Sequence, residues 1–139
     1  MLHFVDTETT GLDSLYHEMV SIAIITEYGD GRIERWHTKL RPEHIERASP
    51  KALKVNGYNA VDWMDAPSFT EVFNVIQDKL RKGIIVGHNI AFDIAFIREA
   101  YKRIGEDPDA KKVGIARYKI DTITLAHEHL QPMGMWFLG

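Results

Sequence analysis

The chain has 139 residues, 45% of them hydrophobic and 27% charged, a composition and length that suit one globular domain and exclude a disordered tail, a fibrous repeat or a low-complexity segment. Its longest apolar stretch, Val20 to Ile25 broken by Ser21, falls short of the ~20 residues that cross a bilayer, so no membrane partner is expected. A net charge of −3 and the absence of cysteine exclude nucleic-acid binding by bulk electrostatics, disulfides and thiolate metal sites, so any nucleic-acid role must be local.

Met1 to Val5 runs straight into Asp6 without a basic segment, so no secretory signal is read here and a cytoplasmic location is expected. Leu2 to Asp6 is a short apolar run ending in an acid; after the turn-forming Gly11-Leu12-Asp13 comes Met19 to Tyr28, rich in Ile and Ala. Both read as buried strands. Glu27-Tyr28-Gly29-Asp30-Gly31 marks a hairpin, and Trp36, Thr38 and Leu40 then alternate with Arg35, His37 and Lys39, as a third, antiparallel strand requires. Arg41 to Pro67 shows no long period; helical turns near Glu43 to Ala48 and Pro50 to Val55 make it an ordered excursion over one face.

Ser68 is placed to cap a helix with Val72, Val75, Ile76 and Leu80 on its apolar stripe and Gly83 beyond its end. Ile84 to Gly87 reads as a fully buried strand, and Ala91 to Ile104 as a helix carrying Phe92, Ala95, Phe96, Ala100 and Ile104, closed by Gly105. Tyr118 to Asp121 predicts a last strand, with Asp121 or Thr122 capping a helix from Ile123 to about Leu130. This order predicts a single α/β domain over residues 1–139, a mixed five-stranded sheet covered by helices, its first three strands largely antiparallel.

Two segments carry chemistry. In Phe4-Val5-Asp6-Thr7-Glu8-Thr9-Thr10-Gly11-Leu12, Asp6 and Glu8 stand two apart, a spacing that turns both carboxylates to one side of a strand. Aligned acids repel unless cations neutralise them, and Mg²⁺ or Mn²⁺ prefers such oxygen ligands. Taken alone, an Asp-x-Glu triplet more often marks a solvated strand end than a metal site. In Gly87-His88-Asn89-Ile90-Ala91-Phe92-Asp93 a buried strand passes into a helix, and Asp93 falls in the first turn, where a carboxylate also serves as a plain helix cap. His88 and Asn89 fit ordinary turn chemistry. Together the segments favour a site, because strand ends and helix starts of open α/β sheets are where ligands bind.

FVDTETTGL and HNIAFD closely resemble the first and second motifs of the DEDD superfamily, the DnaQ-like 3′–5′ exonucleases of ribonuclease H-like fold. Asn56-Gly57-Tyr58 resembles the family's xGI loop, and Lys119 to Ala126 its IDT-x-x-LA block, so the match runs over almost the whole chain. The resemblance implies hydrolysis of terminal phosphodiesters of single-stranded DNA with two divalent cations, Mg²⁺ or Mn²⁺. It implies Asp6 as ligand of both ions, Glu8 at the ion that holds the attacking water, and Asp93 at the other. It also implies contacts to the 3′ nucleotide from Thr7, Thr9, Thr10, Gly11 and Leu12, together with Asn56, His88, Asn89 and Phe92; for Phe92 a core role fits equally. The TETTG form is typical of proofreading relatives, which makes a DNA polymerase a candidate partner and leaves RNA as the alternative substrate.

The family's third motif, a His or Tyr followed at short spacing by Asp, supplies the general base and a last ligand, and it is absent. Leu130 to Gly139 contains neither acid nor histidine, and of the seven histidines only His88 has an Asp five positions on, which is Asp93 itself. His127 and His129, flanking Glu128, read as exposed helix residues. Met133 to Gly139 is apolar and reads as the middle of a longer sequence, so a domain truncated of its C-terminal helices, of low activity and prone to self-association, is expected. A module that binds nucleic acid but hydrolyses it weakly is the alternative. Lys102, Arg103, Lys111, Lys112, Arg117 and Lys119 suit a phosphate track or an ordinary basic surface.

Overall fold

The computed structural model describes residues 1–125. Its strands are β1 (Leu2–Thr9), β2 (Met19–Glu27), β3 (Ile33–Lys39), β4 (Ile84–Gly87) and β5 (Lys119–Asp121), and its helices α1 (Pro50–Asn56), α2 (Phe69–Leu80), α3 (Ile90–Arg103) and α4 (Thr122–Leu125). The five strands form one sheet in the order β3-β2-β1-β4-β5. The pairs β1–β2 and β2–β3 are antiparallel, whereas β1–β4 and β4–β5 are parallel. The mixed sheet therefore follows the expected pattern, with the hairpin strands on one side and the strands reached by helical crossovers on the other.

β1 extends beyond Asp6 to Thr9 because it stays paired with β2 as far as Thr9 opposite Met19, with an irregularity at Glu8/Thr9. Alternation along it buries His3, Val5 and Thr7 on one face and leaves Phe4, Asp6 and Glu8 on the other. The core lies on the His3 side, where Ile22, Ile24 and Ile85 of the sheet meet Phe73, Ile76 and Leu80 of α2 and Ile94, Ile97 and Tyr101 of α3. On the opposite face Phe4 and Ile25 remain 39% and 38% exposed.

Both long helices turn a slightly different stripe inward than their spacing predicts. In α2, Phe73 is buried with Ile76 and Leu80, while Val75 is 41% exposed. In α3, Ile94, Ile97 and Tyr101 join Phe96 and Ala100, and Phe92 and Ala95 are only half-buried. Ser68 caps α2 as expected, its hydroxyl accepting from Glu71 N–H at 3.3 Å. The 41–67 excursion is ordered: a 3₁₀ turn spans Ile45–Arg47, Ser49 caps α1, and Trp63 Nε1 donates to Val20 O at 2.9 Å. Among the described residues no helix is long and apolar enough to cross a membrane. The expected helix beyond Leu125, His127, His129 and the apolar Met133–Gly139 stretch lie outside the described residues.

Candidate active site at the strand ends

Parallel pairing brings the C-terminal ends of β1, β4 and β5 side by side, with Phe4 opposite Val86 and Gly87 opposite Asp121. Gly87 keeps the turn close: a Cβ would stand 2.6 Å from Ile90 Cδ1, which would have to move aside, and 3.1 Å from Val5 O. The chain then reverses through Asn89, whose φ of 57° and ψ of 52° place it in the left-handed region, one that Asn tolerates better than most residues. That reversal starts α3 and delivers Asp93 to β1.

Asp93 is 4% exposed. Its Oδ1 accepts both the Thr7 backbone N–H, at 3.1 Å, and the Thr7 hydroxyl. Burial pushes the Asp93 carboxyl above the usual range; the two Thr7 hydrogen bonds oppose that, and the nearby negative charge of Asp6 adds to it. Thr7 thus lies between two solvent-facing acids in sequence, while its own side chain turns inward to the third.

Asp6 and Glu8 are exposed on the opposite face of β1. Glu8 borders a cleft of about 400 Å³, walled on the β1 side by Thr7, Thr9, Gly11 and Leu12 and on the α1 side by Lys51, Val55 and Asn56. Lys51 and Val55 join this wall without standing out in the sequence, where their four-residue spacing on a short helix beside Asn56 is their one signal. Asn56 Nδ2 donates to Thr9 O at 3.0 Å, fastening α1 to the end of β1, and Thr9 Oγ1 donates to Gly11 O at 2.7 Å. Thr10 is fully buried, its hydroxyl accepting from Glu18 N–H at 3.0 Å and its carbonyl from Ser49 N–H at 2.7 Å. It supports the loop and does not face the cleft.

The second motif sits beside this cleft without lining it. His88 is exposed, with Nδ1 3.1 Å from Thr122 Oγ1. Phe92 packs against the core with its ring centroid 4.9 Å from that of Phe96. Asp121 does more than begin a helix: its Oδ1 accepts Ile123 N–H at 2.9 Å and also Asn89 N–H at 3.1 Å, tying the end of β5 to the turn that presents Asp93. The basic stretch is partly committed to structure. Lys102 pairs with Glu99 at 3.3 Å, Lys119 donates to Ala116 O and Arg117 O, and Arg103 donates to Ser14 O and His17 O.

The donor set suits a hard divalent cation, since Asp6, Glu8 and Asp93 offer only carboxylate oxygens. The influence of Asp6 on Asp93 is the like-charge proximity that a cation would relieve. The acids do not form a closed cage: Asp93 is turned into Thr7, and among the described residues no group of three or more His, Asp or Glu side chains is set to hold a metal ion.

Comparisons with known proteins bear on the family and the fold. The PolC-type DNA polymerase III of Staphylococcus aureus (strain bovine RF122 / ET3-1) is 29% identical over 121 residues, 87% of this chain and 8% of that protein, so the chain spans less than a tenth of that relative's length. E. coli exonuclease I, solved in complex with a dT13 oligonucleotide, superposes with a TM-score of 0.77 at 20% identity, over 96% of this chain and 30% of that one. Exonuclease X in complex with 5′-overhanging duplex DNA gives a TM-score of 0.62 at 22% identity, over 92% of this chain and 63% of that one. These two structures establish a shared fold, the mixed sheet of ribonuclease H-like exonucleases. The RNase_T family model, described as Exonuclease, matches residues 4–136, and the chain accordingly belongs to that exonuclease family.

Proposed function

We propose that this domain is a 3′–5′ exonuclease that hydrolyses the terminal phosphodiester of single-stranded DNA. The observation that carries the reading is the placement of Asp6 and Glu8 on one exposed face at the end of β1, with Asp93 drawn to the Thr7 between them. Asp6, Glu8 and Asp93 would hold two divalent cations, Mg²⁺ or Mn²⁺, which when bound activate water and stabilise charge developing on the phosphate. The cleft beside Glu8 accepts the 3′-terminal nucleotide: Leu12 and Val55 offer apolar walls to a base, and Thr9 and Lys51 offer polar groups to the sugar and phosphate. Thr7 keeps Asp93 aimed at β1, and Asn56 and Thr10 hold the cleft walls in register.

Likeness to a PolC-type DNA polymerase III supports a proofreading role beside a polymerase in the cytoplasm. RNA is the alternative substrate. Because the 139 residues hold no third motif, a nucleic-acid-binding module of weak hydrolytic power is the second reading. Degradation of 5′-labelled single strands with Mn²⁺ tests the first. A ladder shortened from the 3′ end, blocked by a 3′-phosphate and lost in Asp6→Asn, is expected, whereas resistance of 5′-blocked strands alone would reverse the assigned polarity. Retention of strand binding without shortening would favour the second reading. The same assay on a chain extended beyond Gly139 tests whether a further segment supplies the general base.

A further inference from the structure

Arg103 ends α3 and reaches across to the loop that follows β1. Its Nη2 donates to Ser14 O at 2.9 Å and its Nη1 to His17 O at 3.2 Å, so both arms of one guanidinium grip main-chain carbonyls of a single loop. At the loop's base Thr10 N–H donates to Glu18 O at 2.8 Å, and Thr10 Oγ1 accepts Glu18 N–H. Inside it, Asp13 O accepts the N–H groups of Tyr16 and His17, while His17 Nδ1 accepts Asp13 N–H at 3.1 Å. The His17 ring lies so close over Gly11 that a Cβ there would stand 2.3 Å from Cε1.

Leu12 follows Gly11 in this loop, is 86% exposed and borders the cleft beside Glu8. A side chain so exposed is not placed by burial in a core; its position is that of the loop. Together with the Arg47 guanidinium, which stands 5.3 Å from the centroid of the Tyr16 ring, Arg103 ties the outer limb of the loop to the body of the domain. Arg103 stands ten residues along the same helix from Asp93, about 15 Å at the helical rise, so α3 orients both the buried acid and the Leu12 wall.

We propose that Arg103 is a positioning residue for the 3′-terminal nucleotide, holding the Gly11–His17 loop so that Leu12 stands preformed at the cleft. The inference rests on the exonuclease reading above. A wall already ordered need not be ordered on binding, and losing that order weakens association without touching the acids that serve the reaction. Removing the guanidinium therefore raises KM and leaves kcat near its original value, whereas a merely structural defect lowers the active fraction and with it kcat.

The test compares the full chain with Arg103→Met, which keeps an apolar stem and removes both donors, and with Arg103→Lys, which keeps one cationic donor. Binding of 5′-fluorescein-labelled dT10 in Ca²⁺ is read by anisotropy, and amide exchange is read over residues 12–16. Arg103→Met is expected to bind about tenfold more weakly and to exchange faster in the loop, with β1 and α3 unchanged and Arg103→Lys intermediate. Equal binding by wild type and Arg103→Met, or unchanged exchange in the loop, would overturn the inference while leaving the exonuclease reading intact. Should Arg103→Met fail to fold, Arg103→Lys against wild type decides by the same two readouts. A wild-type chain that does not bind dT10 defeats the exonuclease reading, and the substrate role of Arg103 with it, before any substitution is made.

Discussion

Thr7 and Asp93, 86 positions apart, are joined twice: the backbone N–H and the hydroxyl of Thr7 both donate to the same carboxylate oxygen. One oxygen thereby links β1 to α3, the helix packed behind it. Asp93 is buried, and a buried carboxylate that loses a donor bears the full cost of its desolvation.

Thr7→Val, nearly isosteric, removes the hydroxyl donor and keeps the N–H. It is expected to destabilise the fold by ~1.5–3 kcal/mol, the range for hydrogen bonds to charged groups. Thr7→Ser is expected to retain most of that stability. Urea denaturation of the three proteins checks this, and a Val variant within ~0.5 kcal/mol of wild type, the scatter of ordinary surface substitutions, would show that the hydroxyl contributes nothing.

Asp6→Asn separates a metal role from a structural one by sign. Asp6 is exposed and its charge acts against that of Asp93, so its neutralisation is expected to leave the metal-free fold as stable as wild type or slightly more so. Mn²⁺ should raise the melting temperature of wild type, since a ligand that binds only the folded state stabilises it by mass action. The increment should vanish in Asp6→Asn. Calorimetric titration with Mn²⁺ is the second check, and unchanged affinity in the variant rejects Asp6 as a ligand.

His3 gives the fold an acid-sensitive point at the opposite end of β1. Its ring is 1% exposed, with Nε2 2.9 Å from Lys82 O and Nδ1 2.8 Å from Thr26 Oγ1. Facing a carbonyl, Nε2 carries the proton, which leaves Nδ1 to accept from the Thr26 hydroxyl. Burial holds the imidazole below its ordinary value; the Lys82 carbonyl opposes the shift and the Lys79 charge assists it. The unfolded chain therefore binds the proton more readily than the folded one, and this contribution is complete above the ordinary histidine value of 6.5 and is lost as pH falls below it towards the lowered folded value. Stability measured from pH 7 downwards should fall less steeply in His3→Gln, and parallel curves would remove His3 as a cause.

Asp121→Ala removes the acceptor for both Asn89 N–H and Ile123 N–H. A loss of ~1–2 kcal/mol is expected, as for removal of a helix cap, together with faster amide exchange at Asn89. Asn89→Gly should be tolerated because glycine adopts the left-handed conformation freely, whereas Asn89→Val should cost more. If Asp121→Ala leaves exchange at Asn89 unchanged, the bridge between β5 and the second motif does not order that turn.

Much of the architecture follows from local pattern. Apolar runs bounded by glycine and capping serines mark the strands and α2, and the two-residue spacing of Asp6 and Glu8 alone dictates that both face one side of β1. The second motif is legible in the same way, since a buried run ending in Gly87 must turn before α3 begins. These features depend on backbone geometry over a few residues, which the chain specifies wherever it folds. Spacing puts Val75 on the apolar stripe of α2 with Val72, Ile76 and Leu80, whereas docking against the sheet turns Phe73 inward and leaves Val75 41% exposed.

The partners of Thr7, Arg103 and Asp121 belong to the tertiary structure. Thr7 reads as one of a run of threonines beside a substrate, yet its hydroxyl serves Asp93; Arg103 reads as one of several basic residues, yet it holds two loop carbonyls; Asp121 reads as a cap, yet it also holds Asn89. A hydrogen bond between residues distant in sequence depends on distances of a few tenths of an ångström and on direction, and neither is set until the sheet register and the helix packing are complete. The sequence determined which side chains could do chemistry and on which face of their element they lie. Packing decided which atoms meet, because only the assembled sheet and helices bring donors from one segment within bonding distance of acceptors on another.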